Sequence, residues 1–146
     1  MMVPGKLESV TPVRRGKISV EFDDGQRATL DLMPLIRERA NLAPLANNDI
    51  FERAKVSDDG WSVEWRDVGI DFGVSQLHRW ADEQAGRTMS AKRFKEWMQR
   101  NKLTLDSAAD ALGLSRRTVA YYVSGEQPVP KTVMLATKAL EASHFA

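Results

Sequence analysis

The chain has 146 residues, 42% of them hydrophobic and 28% charged, with a formal net charge of +1 and no cysteine. That composition excludes disordered and fibrous classes, and the missing thiols exclude disulfides, cysteine nucleophiles and Cys-ligated zinc. Apolar runs fall far short of the roughly 18 residues needed to cross a bilayer, and Lys6, Glu8, Arg14 and Arg15 interrupt any signal-peptide core, so a cytoplasmic protein with no membrane partner is expected.

The first half reads as short strands around one helix. Residues 7–13 and 17–22 are rich in β-branched side chains, and Ile18, Val20 and Phe22 alternate with Ser19 and Glu21 as in a half-buried strand. Asp23-Asp24-Gly25-Gln26 supplies turn chemistry, and residues 27–31 return as the second arm of a hairpin. Leu32, Leu35 and Ile36 then fall at helical spacing with Pro34 in the first turn. Residues 41–49, with Pro44, Asn47 and Asn48, read as a loop. Residues 51–57 and 61–65 flank Asp58-Asp59-Gly60 as a second hairpin, with Trp61, Val63 and Trp65 on one face. From Val74 to Gln84 the period is helical, burying Leu77, Trp80 and Ala81. Ala85-Gly86-Arg87-Thr88 marks a boundary, so two domains are expected: a small α+β domain with an antiparallel sheet over 1–86, and an all-α domain over 87–146.

Beyond Ser90 nothing resembles a strand. Ser90 caps a helix running to about residue 101 that buries Phe94, Trp97 and Met98; Thr104 caps a second over 105–112, stopped by Gly113; Ser115 caps a third over 116–124, stopped by Gly125. A fourth, over 131–143, turns inward Val133, Ala136 or Thr137, and Leu140. Charge follows the same division. Residues 1–85 carry eleven Lys and Arg against fifteen Asp and Glu, a net of −4, while residues 86–146 carry ten against five, a net of +5. A polyanion site therefore belongs in the second piece.

The informative stretch is 103–125. Two helices crossing steeply over a short turn need a small residue on the first helix, a positive-φ residue in the turn and a branched apolar residue returning from the second. Ala109, Gly113 and Val119 stand at those offsets, with Leu112, Leu114 and Tyr122 completing the apolar set. The segment resembles the Cro/CI-like (Xre) helix-turn-helix family, including its Ser-Gly-Glu-Gln-Pro-Val-Pro run. The resemblance implies a lambda-repressor-like all-α domain, its third helix in the major groove and its second across the backbone. Leu105 stands where many members place a phosphate-contacting Gln, and four predicted helices stand where many members have five, the element of the usual dimer surface.

Helical geometry sorts the third helix into faces. Arg117, Tyr121 and Ser124 share one outward line, with Arg116 and Ala120 beside it. Arginine reads guanine O6 and N7 through two hydrogen bonds, Ala120 suits a thymine methyl, and Tyr121 reaches a phosphate or a base edge. Ser115 and Lys131, at helix N-termini, suit phosphates. Lys92, Arg93 and Lys102 are further candidates for phosphate contact.

Other chemistry is thin. His78 and His144 lie in different domains, so no metal site is expected. Asp23, Asp24, Asp58 and Asp59 sit in turns, Trp61, Trp65 and Trp80 are spaced as core residues, and no phosphate loop or nucleophile elbow appears. The Phe-Asp-Asp-Gly hairpin, Pro44-Leu45 and the Asp-Gly-Trp hairpin resemble a small bacterial domain of unknown function found alone or fused to a helix-turn-helix. The expected whole is a DNA-binding transcriptional regulator, not an enzyme, with no cofactor. It would bind double-stranded DNA as a homodimer, and its first domain would serve dimerisation, a protein partner or an unknown signal. The alternative is an antitoxin-like interaction module whose first domain binds a protein and whose DNA binding serves autoregulation.

Overall fold

The computed structural model describes residues 5–143. The chain forms two compact units, residues 1–81 and 82–146. The division falls inside a helix, after its last buried residue, Ala81, rather than in the small polar stretch that follows. Asp82 is tied forward: its carboxylate accepts from Arg87 Nε at 2.8 Å and its carbonyl from the Arg87 N–H at 2.9 Å. No helix among the described residues is long and apolar enough to cross a membrane.

The first unit is mixed α and β with antiparallel sheets. Strands β1 (Leu7–Arg14), β2 (Lys17–Phe22) and β3 (Arg27–Asp31) pair in that order. Their register aligns Val10, Val20 and Ala28 in one row and Pro12, Ile18 and Leu30 in another, so alternation places one apolar face inward. Helix α1 (Met33–Glu38) follows, with Pro34 in its first turn and Ile36 buried. Two expectations fail next. The stretch 41–49 is not an open loop: Ala40–Ala46 winds as a 3-10 helix whose Leu42 and Leu45, three apart, share a buried side. Phe51 opens no strand either. It closes the short helix α2 (Asn48–Phe51), which Asn47 caps by accepting from the Asp49 N–H at 3.0 Å. The strand is confined to β4 (Lys55–Val56), paired with β5 (Ser62–Trp65).

A further strand, β6 (Ile70–Gly73), completes the second sheet beside β5, with Val63 opposite Phe72 and Trp65 opposite Ile70. At four residues it is too short for its period to stand out in sequence, and Gly69, at φ 64°, makes the reversal that returns it. Trp61 corrects the expectation of a core residue: it precedes β5, is 45% exposed, and has the Lys6 ammonium 5.3 Å from its ring centre. Asp59 turns the chain there, accepting from the Trp61 N–H at 3.0 Å. The core instead runs as an aromatic chain, Phe51 to Trp65 to Phe72 to Trp80, at 5.7, 5.7 and 5.0 Å between ring centres. The Trp65 indole N–H donates to the Phe51 carbonyl at 2.9 Å, satisfying its buried polar atom. Helix α3 (Val74–Gln84) closes the core with Val74, Leu77, Trp80 and Ala81.

Among its described residues the second unit holds four helices and one two-residue ladder. Strand β7 (Thr88–Met89) pairs with β8 (Val129–Pro130), aligning Met89 with the fully buried Val129. That pairing overturns the expectation of no strand beyond Ser90. Helices α4 (Ala91–Arg100), α5 (Leu105–Leu112), α6 (Arg116–Ser124) and α7 (Lys131–Ala142) surround a core of Phe94, Trp97, Met98, Ala108, Ala109, Val119, Tyr122, Val129 and Val133. Tyr122 meets Phe94 edge to face at 5.5 Å, and burial raises its phenol pKa. On α7 the inward residues are Val133, Met134 and Thr137, with Ala136 and Leu140 half-buried; Thr137 loses no hydrogen bond, donating to the Met134 carbonyl at 2.6 Å.

Candidate nucleic-acid interface

The candidate surface is built by local chemistry at the helix ends. Ser90 Oγ accepts from the Arg93 N–H at 3.2 Å and starts α4. Lys102, at φ 54°, takes the left-handed position that ends it, so this lysine serves a chain reversal. Thr104 and Ser107 cap α5 reciprocally: each side-chain oxygen accepts the other's backbone N–H, at 3.1 and 2.8 Å. Gly113, at φ 69°, ends α5, and the Leu114 N–H bonds the Ala109 carbonyl at 2.9 Å. Ser115 then starts α6, accepting from the Thr118 N–H at 3.1 Å. The turn 113–115 therefore sets how α6 leaves α5. Ala109, Val119 and Tyr122 are buried behind it, with Leu112 and Leu114 half-buried.

Outward from that core stand the residues expected to meet DNA, and their engagements differ. Arg116 and Arg117 are exposed, Ala120 and Tyr121 half-buried. Arg117 Nε donates to the Tyr121 hydroxyl at 2.8 Å, and its guanidinium carbon lies 5.4 Å from the Tyr121 ring centre, so one helical turn joins the two into a single unit. Arg116 Nε lies 3.3 Å from Asp106 Oδ1 on α5. Nothing in the sequence marks Asp106, because a ten-residue spacing across a turn does not say that two side chains meet.

Both serines on this face turn to their own backbone. Ser115 Oγ is held by the Thr118 N–H and bonds the Thr118 hydroxyl at 2.9 Å, which leaves the backbone N–H groups of Arg116 and Arg117 as the part of the first turn able to meet an anion. Ser124 Oγ donates to the Tyr121 carbonyl at 3.1 Å and accepts from the Glu126 N–H at 3.3 Å, closing the end of α6. Lys131 opens α7 and is exposed, as are Lys92 and Arg93 on α4. Helix α7 is tied to α4 through Glu141: its carboxylate accepts from Asn101 Nδ2 at 2.7 Å and meets Arg100 at 3.3 Å. The Asn101 hydrogen bond, with Arg100 beside it, holds the Glu141 carboxyl below its ordinary range.

Elsewhere several titratable groups make structural contacts. His78 stacks on Phe22 at 3.9 Å, and its buried Nε2 meets no hydrogen-bond partner; His144 lies outside the described residues. Asp24 accepts from the Gln26 N–H at 2.9 Å, and Asp58 pairs with Arg66 at 3.1 Å. Asp59 accepts from the Ser57 hydroxyl and the Trp61 N–H, which lower its pKa. Asp23 opens the turn between β2 and β3, its N–H bonding the Lys6 carbonyl at 2.8 Å. Among the described residues no three His, Asp or Glu side chains gather as metal ligands.

Comparison with known proteins adds two likenesses. A crystal structure of a protein from Nitrosomonas europaea ATCC 19718, described as a "putative DNA binding protein", is 35% identical, covering 97% of this chain and 91% of its own, with a TM-score of 0.52. No curated protein matches the chain. Residues 7–83, which span all the strands of both sheets of the first unit, match the family described as "Protein of unknown function (DUF2442)", and the chain belongs to that family.

Proposed function

We propose that the protein is a sequence-specific DNA-binding transcriptional regulator, without catalytic activity, whose second unit is a helix-turn-helix of the Cro/CI-like kind. Helix α6 enters the major groove and α5 lies across the backbone. The observation that carries this reading is the outward side of α6, where Arg116, Arg117 and Tyr121 stand beside half-buried Ala120, over a core set by Ala109 and Val119. An Arg117 already oriented by Tyr121 loses less freedom on reaching a base edge. The net charge of +5 over residues 86–146 and the likeness to a described DNA-binding protein support the same reading.

One such unit makes few base contacts, so two copies on a two-fold site are expected, with half-sites about 10 base pairs apart or a multiple of that. The first unit supplies dimerisation or a partner surface in this reading. Selecting bound sequences from a random duplex pool with the full-length protein tests both claims. An enriched two-fold site is expected, bound less tightly as salt rises and lost on replacing Arg116 and Arg117 with Ala. A pool that stays unenriched, or a double variant that keeps wild-type selectivity, would refute it.

A further inference from the structure

Helices α5 and α6 carry opposite charge. The ionised side chains of α5 are Asp106 and Asp110, one turn apart and both exposed, whereas those of α6 are Arg116 and Arg117. A carboxylate on a helix laid across phosphates repels every duplex alike. Helix α5 has no need of Asp106 as a cap, because Thr104 and Ser107 already satisfy each other's backbone. What Asp106 touches is Arg116, at 3.3 Å, with side chains 81% and 66% exposed. An exposed ion pair is a weak latch. A lone phosphate oxygen gives Arg116 little that Asp106 does not already provide. A guanine edge, offering two acceptors in the plane of the guanidinium, gives two bonds in place of the single Nε–Oδ1 contact.

We propose that Asp106 is a specificity-determining residue of the interface: paired with Arg116 in the free protein, it suppresses sequence-independent binding and releases the arginine only to a matching base edge. This inference rests on the DNA-binding reading. It differs from the ordinary role of a first-turn carboxylate, which complements the helix dipole and has no bearing on selectivity.

The test compares full-length wild type with Asp106→Asn, Asp106→Glu and Asp110→Asn. Fluorescence anisotropy would follow binding to the selected duplex and to a scrambled one across a salt series. Asp106→Asn is expected to bind the scrambled duplex about tenfold more tightly near 0.1 M salt, with a log–log salt slope steeper by about one. Binding to the selected duplex should gain only about threefold, so selectivity falls. Asp106→Glu, which keeps the charge on a side chain one methylene longer and still within range of Arg116, should behave as wild type. Asp110→Asn makes the same change in net charge without the Arg116 contact, and should give less than half the logarithmic effect. The proposal is overturned by an Asp106→Asn variant like wild type, by equal gains on both duplexes, or by Asp110→Asn matching Asp106→Asn. Failure of every protein to bind either duplex would instead bring down the DNA-binding reading itself, and this inference with it.

Discussion

Gly113 ends α5 at φ 69°, and a β-carbon built there would meet nothing within 4 Å. Replacing it with Ala therefore creates no clash, and the cost is purely one of backbone conformation. Holding an L-residue left-handed costs about 1–2 kcal/mol, and the stiffer unfolded chain gives back about 0.4–1 kcal/mol, leaving a net loss near 1 kcal/mol. In a unit of this size that corresponds to a fall in Tm of about 4–8 °C. Asn, which tolerates the left-handed region, should lose about half as much, and Val clearly more. Native-state hydrogen exchange is the suitable assay, because amides of the second unit report its stability separately from the first. The Val119 amide, bonded to the Ser115 carbonyl at 3.2 Å, is a good probe. A neutral or stabilising Gly113→Ala would mean that the turn between α5 and α6 does not hold this conformation. A loss above about 4 kcal/mol would mean an unseen steric contact, and either result would refute the reasoning.

Two more expectations follow from particular bonds. Trp65→Phe removes the donor to the Phe51 carbonyl and part of a ring in the middle of the aromatic chain, so the first unit should lose about 2 kcal/mol or more while second-unit amides keep their protection; unchanged first-unit exchange would count against it. Glu141, whose pKa is lowered by Asn101 and Arg100, contributes stability that is present above the ordinary carboxylate range and is lost as pH falls through its lowered value. Wild type should accordingly be more stable than Glu141→Gln at neutral pH, with the gap closing in acid, and a gap independent of pH would contradict the Asn101 contact as its source.

The helices of the second unit and the strands β1 to β3 were legible in the sequence because their determinants are local. Ser90, Thr104 and Ser115 each satisfy a backbone N–H three residues on, and Gly113 and Gly125 take the positive φ that ends a helix. Such contacts leave a signature within four or five positions. The same locality made Ala109 and Val119 readable as core positions. Period failed where elements were short or irregular: Leu42 and Leu45 share a 3-10 side, Phe51 closes a single helical turn, and β6 spans only four residues.

The remaining decisions belong to the tertiary structure, since they join residues far apart in the chain. Thr88 and Met89 become a strand only because Pro130 and Val129 lie opposite. Trp61 stays outside the core with Lys6 over its ring, and α7 is tied to α4 because Glu141 comes beside Asn101. In the candidate site the sequence alone determined that Arg116, Arg117 and Tyr121 share the outward side of a helix, since 3.6 residues per turn dictates it. That Arg117 rests on Tyr121 while Arg116 faces a carboxylate was decided by the fold, because only the turn at Gly113 brings Asp106 across to α6.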